Sequence, residues 1–289
     1  MSKPKILVQL DSDSHASVFD AVVAVDAEVD HLLQYQNVEP ADVQGLVHGA
    51  MFTRGPQDLK YTAVFIGGSN VGAGEALLSQ VTKCFFGPMR VSVLLDANGA
   101  NTTAAAAVLA AANHVELQGA TATILAGTGP VGQRAARMLA ASGANVRVAS
   151  RILERSAAVC NAIRQNVSTG SLVATQTASP AELDAALDGA QIVIAAGAAG
   201  IELVSEAARL RAKSLKVAID LNAVPPLGIA GIEVMDKAKE RGGIPCYGAI
   251  GVGGMKMKIH KAAIKQLFEA NDQVLDAEQI FALGQKLAR

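Results

Sequence analysis

The chain has 289 residues, of which 51% are hydrophobic but only 3% are aromatic, and its formal net charge is −1. This length suggests about two domains of ~100–200 residues each, and the aliphatic composition is typical of parallel strands covered by close-packed helices. The near-neutral charge gives no electrostatic reason to expect nucleic acid or a membrane surface as a partner. The three cysteines lack metal-ligand spacing, so we expect neither disulfides nor a metal. Since the N-terminus is unlike a secretory signal and no apolar run is long enough to cross a membrane, the expected compartment is the cytoplasm.

The first part of the chain alternates between strand-like and helix-like segments. A helix is expected after the cap residue Ser17, and another at 74–85. Short apolar runs predict strands at 5–10, 63–68 and 91–95. This alternation predicts a small parallel-sheet α/β domain. The alanine-rich helix that follows Asn101 is expected to bridge this domain to the next.

A second α/β run follows, and it predicts a Rossmann domain. Strands are predicted at 121–126, 145–149, 172–175, 191–195 and 216–221, with helices at 131–142, 156–166 and from Pro180 to near Gly189. The tail from Lys256 onward is expected to be mostly helical. The predicted domains are therefore 1–105, a smaller parallel-sheet substrate domain completed by helices within 257–289, and 106–256, a dinucleotide-binding Rossmann domain.

Residues 121–132, TATILAGTGPVG, join a predicted strand directly to a predicted helix through a glycine-rich loop. The first glycine permits a tight turn, the second lets the backbone approach a pyrophosphate, and the third lets the helix pack close to the strand. The start of the helix then presents N–H groups to the phosphates. The predicted cofactor-binding residues of this loop are Gly127, Thr128, Gly129, Pro130, Val131 and Gly132.

The next predicted strand ends at Ser150 and Arg151, with Arg155 one turn further on. Enzymes that use NAD usually have an acidic residue at this point, which binds the ribose 2′-hydroxyl. A hydroxyl and two guanidinium groups suit a 2′-phosphate instead. We therefore predict NADP as the cofactor, although the lack of an acid does not forbid NAD. The alternative interpretation of both arginines is that they are solvated surface charges.

Ligands of open α/β sheets bind beyond the carboxyl ends of the strands. For the cofactor, this rule adds Ala196, Gly197 and Asn222 to the predicted site. For the substrate, it indicates the segment DANGANTT, whose predicted ligand-binding residues are Asp96, Asn98, Asn101 and Thr102. We expect Asn101 or Thr102 to cap the following helix as well. If the two domains face one another, these loops line one cleft, which we expect to close on its ligands.

The stretch Tyr247 to His260, YGAIGVGGMKMKIH, combines four glycines with several basic residues. The glycines suggest a close backbone approach, and Lys256 and Lys258 are expected on different faces of a helix. A solvated basic helix start is the alternative, although the helix dipole disfavours cations there. The chain shows no nucleophile constellation, and hydride transfer needs none because the nicotinamide carries the chemistry.

Several motifs together resemble the NAD(P)-dependent methylene-tetrahydromethanopterin dehydrogenases of methylotrophic bacteria. They are GTGPVG followed by SR, DANGANTTAAA, FFGP, NAVPPLGIAGI and GAIGVGGMKMKIH. The resemblance covers essentially the whole chain. The glycine loop is shared by many dehydrogenases, whereas the combination of the other motifs is far more specific. The form that accepts both NAD and NADP is the one that this chain resembles most.

The resemblance implies a reversible oxidation of a methylene carbon to a methenyl cation, as part of formaldehyde oxidation. It also implies a tetrahydromethanopterin-type one-carbon carrier as substrate, a pterin domain with a swinging NADP domain, and a cyclic homo-oligomer, a trimer or a multiple of one, built on the pterin domain. Lys256 corresponds to the lysine that the family places against the pterin, and we assign it to binding and orienting the substrate. Asp20 falls in a segment that the family also uses at the pterin.

Three alternatives remain open at this point. A methylene-tetrahydrofolate dehydrogenase would share the architecture and the cofactor. A shikimate-type NADP dehydrogenase would need a Lys–Asp acid/base pair, for which Lys60 and Asp96 are the candidates. A non-catalytic NADP-sensing protein would use the same cleft as a switch.

Overall fold

The computed structural model describes residues 3–288, and the chain divides into two compact units. The N-terminal unit combines Met1–Thr102 with Met257–Arg289, and the central unit is Thr103–Lys256. The boundary expected from the sequence, between 105 and 106, lies a few residues after this division. Within residues 3–288 no helix combines the length and the hydropathy that a bilayer-spanning segment needs.

The N-terminal unit begins with alternating strands and helices. They are β1 (Ile6–Leu10), α1 (Val18–Asp26), β2 (His31–Tyr35), α2 (Val43–Phe52), β3 (Thr62–Ile66), α3 (Val71–Lys83) and β4 (Ser92–Leu95), with short 3-10 helices at Pro56–Tyr61 and Ala97–Gly99. Ser17 caps α1, because its hydroxyl accepts the N–H of Asp20, and Asn70 caps α3 in the same manner. The pair β2 and α2 was not predicted.

Helix α4 (Ala100–Ala112) crosses the first division, so that its residues from Thr103 onward belong to the central unit. The central unit also contains the elements of a second sheet. These are β5 (Thr121–Leu125), α5 (Pro130–Ala141), β6 (Asn145–Ser150), α6 (Leu153–Arg164), β7 (Ser171–Gln176), α7 (Pro180–Leu187), β8 (Ile192–Ala195), α8 (Glu206–Arg211), β9 (Val217–Asp220), β10 (Lys239–Arg241) and β11 (Ile244–Tyr247). A capping box of Ser179 and Glu182 starts α7, with Pro180 at its first position. Helix α9 (Ala249–Gln266) then runs across the second division, and β12 (Val274–Leu275) and α10 (Ala277–Leu287) complete the N-terminal unit.

The N-terminal unit is built on a five-stranded sheet with the order β12-β4-β3-β1-β2. Every pairing in it is parallel, which confirms the predicted parallel α/β architecture. Strands β1, β3 and β4 are almost completely buried, whereas β2 lies at one edge and exposes most of its side chains. The carboxyl ends of the parallel strands meet at one edge of this sheet.

The central unit is built on a seven-stranded sheet with the order β10-β11-β9-β8-β5-β6-β7. Only the β10–β11 pair is antiparallel. Counted from β5, the parallel strands follow the 3-2-1-4-5-6 order of a Rossmann fold, so the predicted fold is confirmed. Its core is aliphatic, as the composition indicated, and Ile124, Val148, Ile194 and Ile219 are fully buried at its centre.

Candidate functional site

The loop after β5 has the geometry of a dinucleotide-binding turn. A Cβ atom at Gly132 would lie 2.7 Å from the Cα of Gly127, and one at Gly127 would lie 2.9 Å from a backbone carbonyl oxygen. These two positions therefore need glycine for the packing of the chain itself. A Cβ at Gly129 would meet its nearest neighbours, the carbonyl oxygens of Ala126 and Ala196, only at 3.7 Å. Packing thus permits a side chain at Gly129, and its absence leaves the backbone open to close approach by a phosphate.

Helix α5 begins immediately after this loop without a side-chain cap. Gly129 is the N-cap residue and Pro130 opens the helix. The Gln133 side chain fixes the loop by donating to the carbonyl oxygen of Thr128 at 2.6 Å. The first N–H groups of a helix have no acceptor within the helix, and they carry the positive end of its dipole. The N–H groups of Val131 and Gly132 stand at that end, which suits the pyrophosphate of a dinucleotide.

The glycine loop lies where the strand order of the central sheet reverses. Strand β5 pairs with β6 on one side and with β8 on the other. The N–H of Ala196, just beyond β8, donates to the carbonyl oxygen of Leu125 at 3.1 Å. The segment Ala196–Gly197 therefore lies beside the glycine loop, at the switch point where open α/β sheets bind their ligands.

Asn222 follows β9 at the same edge, but its side chain is engaged within its own loop. The amide nitrogen donates to the carbonyl oxygen of Pro226 at 3.2 Å, and the amide oxygen accepts the N–H of Val224 at 3.0 Å. The neighbouring Asp220 is fully buried and accepts backbone N–H groups of Asn222 and Ile229. Burial raises the pKa of Asp220 even though these hydrogen bonds oppose the shift. The Asn222 side chain thus shapes its own loop, and its contact with the cofactor stays a prediction.

The arginines expected at a 2′-phosphate lie at the end of β6 and the start of α6. The Ser150 hydroxyl accepts the N–H of Ile152 at 3.2 Å, which fixes the turn between the two elements. Arg151 and Arg155 are both exposed. Strand β6 is the direct neighbour of β5, so Arg151 leaves the sheet one strand away from the glycine loop.

Lys256 lies in α9, about two turns after the start of the helix. It is half-buried, whereas Lys258 is exposed, so the two lysines differ as expected for different faces of a helix. Lys256 borders an indentation of about 160 Å³ in the central unit, together with Thr103, Ala106, Leu221, Ala249, Val252 and Gly253. Since Leu221 follows β9, Lys256 stands near the ligand-binding edge of the Rossmann sheet.

The glycine run before Lys256 is helical, which corrects the expectation that a helix starts at Lys256. A Cβ at Gly248 or Gly251 would lie within 2.0 Å of backbone oxygens in the 233–236 loop, so two of the glycines let that loop pack on the start of α9. The carbonyl oxygen of Val234 accepts the N–H of Ile250 at 2.8 Å. Because Lys256 is not in the first turn of α9, the positive end of the helix dipole does not disfavour its charge.

An ion pair fixes the loop that covers the start of α9. The side chain of Asp236 accepts from the guanidinium of Arg241, and the N–H of Gly248 donates to the Asp236 carbonyl oxygen at 2.9 Å. Burial would raise the pKa of Asp236, but the Arg241 guanidinium and the backbone N–H of Glu233 outweigh it and hold that pKa below its ordinary value. This support was missed in the sequence analysis, because the β10 and β11 hairpin was not predicted.

At the carboxyl edge of the N-terminal sheet, two carboxylates flank a glycine. A Cβ at Gly67, just beyond β3, would lie 3.3 Å from carboxylate oxygens of both Asp11 and Asp20. Asp11 is fully buried and accepts the N–H groups of Asp13 and Ser17, at 2.9 and 3.0 Å. Asp20 is half-buried on α1. Asp20 therefore lies at the edge where a ligand of this sheet would bind.

Three of the predicted substrate residues are engaged in supporting α4. Asp96, Asn101 and Thr102 are at most 1% exposed. The Asp96 carboxylate accepts the N–H groups of Asn101 and Thr102, each at 3.0 Å, and the Thr102 hydroxyl at 2.6 Å. The Asn101 amide donates to Leu95 and to Asp276. The capping interpretation thus holds for this segment, but the capping side chain is that of Asp96, not of Asn101 or Thr102.

Asn98 is the predicted substrate residue of this segment that faces solvent. It has a left-handed backbone, with φ of 53°, and its N–H donates to the carbonyl oxygen of Gly68 at 2.6 Å. Asp13 ties the neighbouring loop in place, because its carboxylate accepts both the N–H and the hydroxyl of Ser69. The importance of Asp13 and Ser69 was missed, since single polar residues in loops give no signal of their partners.

Comparison with known proteins places the chain in a family. The family described as methylene-tetrahydromethanopterin dehydrogenase, N-terminal, matches residues 18–98. The bifunctional protein MdtA of Methylorubrum extorquens strain AM1 is 44% identical over 290 residues, which cover 100% of both chains. The NAD(P)-dependent methylenetetrahydromethanopterin dehydrogenase of the same organism is 32% identical over 295 residues, with 98% of each chain covered. The chain belongs to the methylene-tetrahydromethanopterin dehydrogenase family. It is therefore an oxidoreductase.

Solved structures of other dehydrogenases share the fold of this family member. A shikimate 5-dehydrogenase from Listeria monocytogenes has a TM-score of 0.54 at 13% identity, with 98% of this chain and 96% of that chain covered. The 5-ketofructose reductase of Gluconobacter sp. strain CHM43 also has a TM-score of 0.54, at 14% identity and with 99% of each chain covered. At this level of identity the likeness concerns the fold alone.

The acid/base pair of a shikimate-type enzyme is not formed by its candidates in this dehydrogenase. Lys60 precedes β3, and its ammonium lies 5.4 Å from the centre of the Tyr61 ring. Asp96 follows β4, which is parallel to β3. The two residues therefore lie at opposite edges of the same sheet, about five residues or roughly 17 Å of strand apart. Within residues 3–288, moreover, no three His, Cys, Asp or Glu side chains group closely enough to hold a metal ion.

Proposed function

We propose that the protein transfers a hydride from the methylene carbon of a tetrahydromethanopterin-type one-carbon carrier to NADP. The observation that carries the proposal is the loop at Gly127–Gly132, where an open Gly129 and an uncapped helix start form a dinucleotide site in a chain of this family. The same reaction run backwards reduces the methenyl form. It serves one-carbon metabolism, in the oxidation of formaldehyde.

A nicotinamide dinucleotide fits the central unit, and NADP is the form that its charges favour. The pyrophosphate is held by the N–H groups of Val131 and Gly132, next to Ala196 and Gly197. Arg151, with Arg155 beside it, pairs with the 2′-phosphate, because a guanidinium matches a phosphate in charge and geometry. NAD lacks this phosphate and binds through the other contacts alone. No metal takes part in the reaction.

The pterin carrier binds to the N-terminal unit at the carboxyl edge of its sheet. Asp20 and Asn98 supply polar contacts there, since one is half-buried and the other is exposed at that edge. Asp96, Asn101 and Thr102 act behind them by fixing the loop. Lys256 donates to a ring carbonyl or nitrogen of the pterin and orients it.

In this reaction the protein side chains need only position the carrier and the nicotinamide. The bound nicotinamide supplies the hydride acceptor at its C4 atom. The methylene C–H bond breaks with its electron pair, and the resulting cation is delocalised over two nitrogens of the carrier, so no base needs to remove a proton. What the residues must do is hold the two carbons together and exclude water. Orientation of this kind contributes about 7–11 kcal/mol to a barrier.

The function is tested by following NADPH absorbance with two carriers side by side. We expect turnover with methylene-tetrahydromethanopterin and NADP, and slower turnover with NAD. Turnover with methylene-tetrahydrofolate alone would assign the protein to the folate alternative. Binding of NADP without turnover of either carrier would favour a sensing protein.

Lys256 is tested against its exposed neighbour. Replacing Lys256 by Ala should raise the KM for the pterin and lower kcat, while the affinity for NADP stays close to normal, because the lysine orients the substrate and does not hold the phosphates. Lys258→Ala is the matched control and should leave all three constants unchanged. Unchanged pterin kinetics in Lys256→Ala, or greater damage in Lys258→Ala, would refute the assignment.

We further propose that the protein is a cyclic homo-oligomer, a trimer or a multiple of one. Helix α1 supports this, because Val18, Phe19, Val22 and Val25 are each more than half exposed, and three of them are spaced to share a helix face. Light scattering on the purified protein measures the molecular mass directly. A mass close to the 29.6 kDa of one chain would rule out the oligomer.

A further inference from the structure

The N-terminal unit contains a second cavity that the dehydrogenase site does not use. Its volume is about 410 Å³, within the range of roughly 300–1,000 Å³ that small-molecule pockets occupy. Parallel pairing of Ile6 with Thr62 and of Val8 with Leu33 puts these four side chains on one face of the sheet. Helix α2 covers that face with Gly45, Leu46, Gly49 and Ala50, and Tyr35, Thr53 and Arg54 complete the lining.

This cavity is separate from the proposed pterin site. Ile6 and Thr62 are the first residues of β1 and β3, so the cavity reaches the amino edge of the sheet. Asp20 and Asn98 mark the opposite, carboxyl edge. Tyr35, the last residue of β2, extends the lining toward the carboxyl edge, but the connections through α1 and α2 cross the sheet in opposite directions. Right-handed crossovers therefore put α1, with Asp20, on the face opposite the cavity, so a ligand in the cavity would not displace the proposed contact of the one-carbon carrier with Asp20.

Two glycines in α2 leave room that no described part of the chain fills. A Cβ atom at Gly45 or Gly49 would meet nothing within 4 Å among residues 3–288. Glycine destabilises a helix relative to alanine, and here its cost is not explained by packing within the chain. Both glycines are exposed and border the cavity, so they widen its opening to solvent at the expense of the helix.

Two polar groups of the lining are buried without a hydrogen-bond partner in the described residues. They are Nη1 of Arg54 and the hydroxyl of Thr62, a residue that is only 3% exposed. The other terminal nitrogen of Arg54 donates to the carbonyl oxygen of Pro4 at 3.0 Å, which holds the guanidinium in place. Buried donors that lack an acceptor are costly, so this pair indicates a missing acceptor, and its positive charge indicates an anion.

We propose that the cavity binds a small carboxylate with an apolar body. The carboxylate accepts from Nη1 of Arg54 and from the hydroxyl of Thr62, and the apolar body lies along Ile6, Val8 and the glycine face of α2. A planar carboxylate matches a guanidinium donor in geometry, and the aliphatic part of the lining favours a ligand with an apolar body over free phosphate.

Octanoate is a suitable probe, and its uncharged analogue octan-1-ol is the control ligand. Calorimetric titration of the full-length protein should show saturable binding of octanoate at one site per chain and weaker binding of octan-1-ol. Arg54→Met keeps the aliphatic stem but removes the charge, so octanoate affinity should fall about tenfold or more while octan-1-ol affinity stays the same. Thr62→Val, which keeps the shape, should weaken octanoate by a smaller factor.

Two further variants keep the proposal falsifiable. Gly49→Leu fills the cavity and should abolish binding of both ligands. Arg90→Met removes an arginine of the same unit that does not line the cavity, and it should change nothing. All these variants should keep dehydrogenase activity, which separates this proposal from the proposed function. The proposal would be overturned if octanoate failed to bind, or if Arg54→Met and Arg90→Met weakened octanoate equally. It would also be overturned if Gly49→Leu still bound octanoate but no longer formed the oligomer.

Discussion

The two loops that carry the candidate site use the polar groups of their helix starts in opposite ways. In the central unit, α5 starts at Pro130 without a side-chain cap, and Gly129 has room around it. In the N-terminal unit, the start of α4 is capped by the buried carboxylate of Asp96, which accepts from Asn101 and Thr102. The start of α5 thus has no side-chain acceptor for its N–H groups, and the start of α4 has one in Asp96.

This difference indicates that the two ligands are contacted by different groups of the protein, the backbone for the phosphates and side chains for the pterin. A phosphate is bound by backbone N–H groups, so its site is made by removing side chains. We expect a pterin to be bound by side chains, which need a rigid support behind them. In the N-terminal unit the support is the Asp96 network, and the proposed contacts are Asp20 and Asn98 in front of it.

The largest effect is expected from breaking the Asp96 network. Asp96→Ala leaves two backbone donors and a hydroxyl without their acceptor in a buried place, which should lower the free energy of unfolding by about 3 kcal/mol or more. Asn98→Gly is the matched variant, because glycine accepts the left-handed backbone of this exposed residue. It should leave stability within about 0.5 kcal/mol and raise the KM for the pterin. Urea unfolding and steady-state kinetics measure the two effects, and equal loss of stability in both variants would contradict the comparison.

The next effect separates two glycines of the cofactor loop. Gly132→Ala forces a Cβ against the Cα of Gly127 and should cost about 1–3 kcal/mol of stability in the absence of cofactor. Gly129→Ala has room for its Cβ, so the cofactor-free protein should be as stable as the wild type while NADP affinity falls at least tenfold. Thermal unfolding without cofactor and titration with NADP test the pair. A destabilised Gly129→Ala protein would show that this glycine serves packing and not the phosphate.

A smaller effect is expected at the ribose end of the cofactor. Arg151→Ala should weaken NADP by about tenfold, because a hydrogen bond to a charged group contributes about 1.5–3 kcal/mol. The affinity for NAD is the internal control and should hardly change. Equal weakening of both cofactors, measured by fluorescence titration, would mean that Arg151 does not contact the 2′-phosphate.

The parts of the structure that could be predicted from the sequence are those determined by residues close together in the chain. The glycine loop was predictable because the close packing that its glycines allow, such as Gly132 on Gly127, lies within one short segment of the chain. The buried strands were predictable from their apolar runs. Strand β2 was missed because an edge strand exposes most of its side chains, and α2 was missed because Gly45 and Gly49 weaken its helical pattern. The start of α9 was misplaced because Gly248 and Gly251 pack against the backbone of the 233–236 loop. No pattern in the neighbouring sequence indicates that contact.

The candidate site was less predictable where side chains find distant partners. Asn101 donates to Asp276, which is 175 residues away in the chain, and such a contact depends on the folded N-terminal unit as a whole. Sequence reasoning therefore pointed to the loop after β4 as a candidate but did not tell which of its polar side chains face inward. The same limit applies to Asn222, whose amide closes its own loop.

The central claim, direct hydride transfer from the carrier to the nicotinamide, is tested most directly by isotope transfer. The methylene carbon of the tetrahydromethanopterin carrier is labelled with deuterium, the reaction is run with NADP in ordinary water, and the NADPH is analysed by mass spectrometry. Because the C–H bond breaks with its electron pair and no base takes a proton, we expect one deuterium in each NADPH formed. NADPH that carries only solvent hydrogen would contradict direct transfer.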